Sequence, residues 1–167
     1  MIGHSMGGML ATRFTLMYPD MVEKLVLVDP IGLEDYKTFV PYKPLDLLFA
    51  NEMKATYASY KKYQQGYYPE WKPEYEQYVK AQAESLYKPH FDKTAWANAL
   101  TYQMIYEQPV VCEFKDITVP TLLIIGQADQ RIVVWSFCKE VILIHISSIL
   151  FQPSQVSLKI ALYQALI

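Results

Sequence analysis

A chain of 167 residues fits one domain of ordinary size, and 52% hydrophobic with 19% charged residues is a globular balance. A net charge of −2 at pH 7 and an isoelectric point near 5.9 give no electrostatic basis for binding nucleic acid or an anionic membrane. No uncharged apolar run reaches the roughly 20 residues that span a bilayer, and no charged-then-apolar leader stands at the N-terminus, so a cytoplasmic location is expected.

In chain order, the first feature is Gly3-His4-Ser5-Met6-Gly7-Gly8, a G-x-S-x-G motif. Such a motif needs a strand to deliver the serine, a sharp turn to present it and a helix to carry the chain away. Small residues are expected two before and two after the serine, because the turn brings backbones close and strains its φ and ψ. Only Met1 and Ile2 precede the motif to serve as the strand. Residues 6–18 read as the helix, with Met9, Leu10, Arg13, Phe14 and Met17 at three-to-four spacing, most of them on one face. Pro19-Asp20 stops it. Residues 24–29 are a short, mostly apolar run that suits a parallel strand covered on both faces, ended by Pro30-Ile31-Gly32.

The middle of the chain changes character. Segment 33–113 holds 12 of the 14 tyrosines and three candidate helices, 45–63, 73–86 and 94–106, separated by proline-containing breaks; it reads as a helical insertion rather than as part of a sheet. Its tyrosines suit half-buried positions with wet hydroxyls, and some are candidates for lining a substrate cleft. Residues 119–126 are the second clear strand. Asp129 follows closely, which puts a carboxylate past the C-terminal end of a buried parallel strand, where chemistry collects in open α/β sheets. The last 36 residues, 132–167, carry only Lys139, Glu140 and Lys159 as charges, so this apolar, β-rich tail is an aggregation-prone segment. Cys112 and Cys138 have no metal-type or redox-type spacing and read as free thiols.

The order of these features resembles the α/β-hydrolase superfamily, and more closely its serine-nucleophile branch with a helical cap. The resemblance covers about residues 1–131. It is carried by Gly3-His4-Ser5-Met6-Gly7-Gly8, by the strand at 24–29 with Pro30 behind it, and by Val119-Pro120-Thr121-Leu122-Leu123-Ile124-Ile125-Gly126-Gln127-Ala128-Asp129. It implies an α/β fold: a partial α/β-hydrolase parallel sheet at 1–32 and 114–167, with a helical cap insertion at 33–113.

Carried over residue by residue, Ser5 is the nucleophile, Asp129 the acid that orients the base, and the backbone N–H of Met6 an oxyanion donor at the positive end of a helix. Asp129 also reads as a helix N-cap, and Asp29, at the end of the other strand, is an alternative acid. The family places its base in a Gly-His loop after the acid, and this sequence has none. His145, in an apolar run 16 residues after Asp129, and His90, at a Pro-His turn, are the remaining histidines besides His4, which is expected to pack beside the turn. The resemblance therefore implies a fragment without the family's early strands and histidine-bearing C-terminus, and the abrupt change of composition after about Arg131 suggests a tail that is frame-shifted or replaces the true C-terminus.

The implied activity is that of an esterase-like serine hydrolase, acting through an acyl-enzyme on small ester or related carbonyl substrates, and impaired in this chain. A non-catalytic remnant that acts only by interaction, and an acyltransferase on the same scaffold, are the alternatives. Ser5 argues against the branches that use a carboxylate nucleophile. No metal or organic cofactor is implied. The expected partner is a small-molecule substrate, with no nucleic acid, no membrane span, and self-association through exposed apolar edges.

Overall fold

The apolar runs of the sequence form strands in the computed structural model, which describes residues 1–126, 142–145 and 158–163. β1 (Ile2–His4), β2 (Leu25–Val28) and β3 (Thr121–Gly126) are parallel, with Gly3 opposite Leu27 and Leu27 opposite Leu123. β4 (Ile142–His145) and β5 (Leu158–Tyr163) extend this sheet with antiparallel pairing, giving the order β1-β2-β3-β5-β4. The strand in front of Ser5 is completed by Gly3 and His4, beyond the Met1 and Ile2 expected.

Contacts divide the chain into two compact units, one of Met1–Phe39 with Gln108–Ile167 and one of Val40–Glu107. In the first, α1 (Met6–Met17) packs on β1 and β2. Leu25 and Leu27 are fully buried while Val26 and Val28 are half-buried, so the two faces of β2 are covered unequally rather than alike. Ala11, Leu25, Leu27, Leu33, Ile117 and Leu123 form the core of this unit. Burying each such leucine contributes about 1.5–3 kcal/mol.

The buried stripe of α1 is Gly8, Met9, Ala11, Thr12 and Thr15. This differs from the face that periodicity suggests, since Leu10 and Met17 are exposed. Small residues let the helix approach the strands closely. The two buried threonines bring no unsatisfied hydroxyl, because Thr12 Oγ1 donates to Gly8 O (2.9 Å) and Thr15 Oγ1 donates to Ala11 O (2.8 Å).

The second unit is helical. α2 (Leu45–Glu52) packs on α5 (Phe91–Glu107), with Phe49 edge-on to Trp96 and Asn98 Nδ2 donating to Glu52 Oε2 at 3.0 Å. α3 (Tyr57–Gln65) packs on α4 (Glu76–Ala83) around Tyr60, Val79 and Ala83. The stretch 45–63, expected as one helix, is two. The first helix ends at Glu52, and Thr56 starts the second: its hydroxyl accepts from Ser59 N (3.1 Å), and Ser59 Oγ accepts from Thr56 N (2.8 Å), a reciprocal capping box. Across this pair, Tyr57 O–H donates to Glu76 Oε1 (2.5 Å), and Lys61 Nζ reaches Glu76 Oε2 (2.9 Å).

Candidate active site

Ser5 is the single residue between β1 and α1, and its backbone is in the left-handed half of φ/ψ space, at φ 52°, ψ −123°. That conformation costs a non-glycine residue about 1–3 kcal/mol and persists only where surrounding contacts enforce it. Three hydrogen bonds do so. Ser5 N–H donates to Val28 O (3.0 Å), while Ser5 O accepts from both Gly8 N (2.9 Å) and Ile31 N (3.0 Å). At about 0.5–1.5 kcal/mol net for each bond, the set matches the strain it opposes. The serine side chain makes no capping bond to the helix it precedes.

The motif's glycines follow from the same turn, at Gly3 as the spacing suggests and at Gly8 in place of Gly7. A Cβ on Gly3 would lie 2.4 Å from Gly7 O and 2.7 Å from Gly8 Cα. A Cβ on Gly8 would lie 2.5 Å from Pro30 Cβ. A Cβ on Gly7 would meet nothing within 4 Å. The small residues are therefore required at Gly3 and Gly8, and Gly7 only lends its backbone to the close approach.

Met6 is the first residue of α1, so its N–H is among the donors that have no acceptor one turn back, at the end where the helix dipole is positive. A strand end, a serine hydroxyl not used as a helix cap and a helix N-terminus thus converge on one turn. Such an arrangement can place an attacking oxygen beside donors suited to a developing oxyanion.

The other candidates are placed less completely. Asp129 lies outside the described residues; β3 ends at Gly126, three positions before it in the chain. Asp29 directly follows β2 with φ 39°, and its N–H donates to Ile124 O (2.8 Å). His145 ends β4, at the edge of the sheet opposite β1; four strand steps of about 4.8 Å put these strands roughly 19 Å apart. His4 is exposed on edge strand β1 rather than packed beside the turn. His90 is exposed in the helical unit at φ 65°. Cys112 is an exposed free thiol, and Cys138 lies outside the described residues. Among the described residues no helix is long and apolar enough to cross a membrane.

No motif in the sequence marks the hold of segment 29–31 on Ser5. Its visible trace is the Asp-Pro pair directly after an apolar strand, which reads only as a strand terminator.

The three parallel strands, the strained serine between strand and helix, and the helical unit together define a partial α/β-hydrolase fold. The family model described as serine aminopeptidase, S33, matches residues 1–135, and the chain belongs to this family of α/β-hydrolases. A crystal structure of a probable hydrolytic enzyme from Pseudomonas aeruginosa PAO1 superposes with a TM-score of 0.74 at 46% identity, over 80% of this chain and 44% of that one. A (lyso)-N-acylphosphatidylethanolamine lipase of Bos taurus is 46% identical over 46 residues, 28% of this chain and 11% of the lipase. A 1-acylglycerol-3-phosphate O-acyltransferase of Saccharomyces cerevisiae is 47% identical over 34 residues, 20% of this chain and 9% of that protein. The chain thus spans less than half the length of the solved relative, and its local matches cover about a tenth of the curated ones. It is a hydrolase-family chain by fold and by sequence.

Proposed function

We propose that Ser5 is the nucleophile of a serine hydrolase that cleaves small esters or related carbonyl substrates through an acyl-enzyme. One observation carries the reading: Ser5 is held at φ 52° by three backbone bonds while its side chain makes no capping bond to α1. Strain maintained at one polar residue is a mark of a functional position. In the reaction of the intact family the serine hydroxyl attacks the substrate carbonyl and gives its proton to an imidazole base; this sequence has no histidine in the family's Gly-His position, so turnover by Ser5 in this chain is impaired. The N–H of Met6 donates to the oxyanion that forms. The imidazolium then protonates the leaving group, and water repeats the sequence on the acyl-serine. Asp129, three residues past β3, is the carboxylate that orients the base, and the helical unit Val40–Glu107 corresponds to the cap insertion.

The test is hydrolysis of short p-nitrophenyl esters by the purified chain and by Ser5→Ala. The expected result is turnover by the first and background by the second; equal turnover by both refutes the assignment. The yeast relative is named an acyltransferase, which favours a second reading, acyl transfer from Ser5 to an alcohol. Adding glycerol to the same assay separates the two: a transferase yields the glyceryl ester in preference to the free acid.

A further inference from the structure

We propose that the 29–31 segment is a positioning element for Ser5. The Ile31 amide holds the serine carbonyl, the Pro30 ring sets the seat of Gly8, and the left-handed turn at Asp29 brings both against the serine's turn. The catalytic consequence rests on the reading of Ser5 as nucleophile; the conformational consequence does not.

The argument begins where the regular ladder ends. Ser5 N–H to Val28 O is the last bond that parallel pairing of β1 with β2 supplies. If β2 ran on in extended conformation, the ladder would turn position 30 toward the Ser5 carbonyl, and Pro30 has no N–H to offer there. Asp29 interrupts the extended path at φ 39°. Its own N–H is committed to Ile124 O on β3 (2.8 Å), the strand on the far side of β2 from Ser5. Pro30 has no N–H to give, so the next donor is that of Ile31, and it goes back to Ser5 O at 3.0 Å. Within three residues the backbone therefore ties β3, the strand that leads toward Asp129, to the turn that carries Ser5.

Pro30 adds a steric element. It is fully buried, and its Cβ lies 2.5 Å from the place a Gly8 Cβ would occupy. Gly8 is the residue whose N–H makes the other bond to Ser5 O. The ring thus limits how far the first turn of α1 can shift, and that limit keeps two donors on one carbonyl. The two bonds fix the peptide plane after Ser5, and with it the direction of the Met6 N–H. A serine released from this hold relaxes toward ordinary φ values and turns away from that donor.

Two perturbations separate positioning from bulk stability. In the first, the amide at Ile31 is replaced by an ester through incorporation of the matching α-hydroxy acid, which deletes one donor and leaves every side chain in place. In the second, Gly8→Ala is made alone and together with Pro30→Gly, which removes the ring atom that the new methyl meets. Each protein carries 13C-labelled serine, so that the Cα and Cβ shifts of Ser5 report its backbone conformation. Each is also assayed for kcat and KM on a p-nitrophenyl ester and for thermal midpoint.

The expected result is movement of the Ser5 shifts toward ordinary values in the ester protein and in Gly8→Ala. A fall in kcat of about tenfold at unchanged KM accompanies it, and Pro30→Gly in the Gly8→Ala background gives partial recovery of both. Unchanged Ser5 shifts in the ester protein overturn the proposal, as does damage in Gly8→Ala that Pro30→Gly leaves in full. If Gly8→Ala does not fold, the ester protein decides alone. If the unmodified chain turns over no ester, the shifts still decide the positioning claim, and the hydrolase reading is the one that falls.

Discussion

Gly3 and Gly7 occupy equivalent places in the G-x-S-x-G pattern, one on each side of Ser5, yet substitution to alanine should affect them in opposite directions. On Gly3 the new methyl would stand 2.4 Å from Gly7 O, 2.7 Å from Gly7 C and 2.7 Å from Gly8 Cα. Ordinary contact begins near 3.4 Å, so β1 and α1 must separate by up to about 1 Å. All three obstacles are backbone atoms and none can rotate aside. α1 also has little room to retreat, because Gly8 is already close against Pro30. Overpacking of this kind costs about 1–3 kcal/mol, and the upper end applies where nothing flexible absorbs it. On Gly7 the methyl meets nothing within 4 Å, while the residue is helical. There alanine gains up to about 1 kcal/mol from helix propensity and a less flexible unfolded chain. Urea unfolding followed by circular dichroism gives both values, and labelling by a fluorophosphonate reports the turn itself. Gly3→Ala should lower the midpoint and slow labelling; Gly7→Ala should keep or raise the midpoint and label normally. Equal damage from both substitutions, or a Gly3→Ala change below about 0.5 kcal/mol, would refute the close-approach argument.

Three further outcomes follow from the two units. Thr56→Ala removes the capping box that separates α3 from α2 and should destabilise the helical unit by about 1 kcal/mol in urea unfolding. The Arg13–Glu113 ion pair (2.5 Å) joins α1 to the turn before β3 with both side chains at least a third exposed, so an Arg13→Ala and Glu113→Ala double-mutant cycle should return a coupling of only about 0.5 kcal/mol. The Glu76 carboxyl is held below its ordinary 4.5 by the Tyr57 hydroxyl first and by Lys61 second. A depressed folded value means that its contribution is whole above the unfolded value and disappears as pH falls through the folded one. The thermal midpoint of the helical unit should therefore fall as pH drops below about 4.5, and Glu76→Gln should flatten that dependence.

Strands β2 and β3 and helix α1 were legible because each is set by a local pattern: an unbroken apolar run, or a glycine-rich turn followed by a run that Pro19 ends. The buried face of α1 was not. Reading the large apolar side chains as the core face assumes that the helix stands off from the sheet, whereas Gly8, Ala11, Thr12 and Thr15 bring it close and leave Leu10 and Met17 outside. The break between α2 and α3 had a signal in Thr56 and Ser59, but serine at the third helical position is a weaker cue than glutamate. At the candidate site, the spacing pointed to Ser5 and Met6 because the motif is contiguous. The roles of Gly8, Pro30 and Ile31 could not be read this way: they arise where the end of β2 meets the start of α1, a contact between segments more than 20 residues apart in sequence.

The central claim is that Ser5 is a nucleophile, and covalent capture tests it most directly. The purified chain is incubated with a fluorophosphonate, digested, and its peptides are weighed by mass spectrometry. The account predicts one phosphonylated peptide, the N-terminal one carrying Ser5, and no adduct in Ser5→Ala. An adduct confined to another serine, an adduct that survives in Ser5→Ala, or no adduct on the folded chain would contradict it.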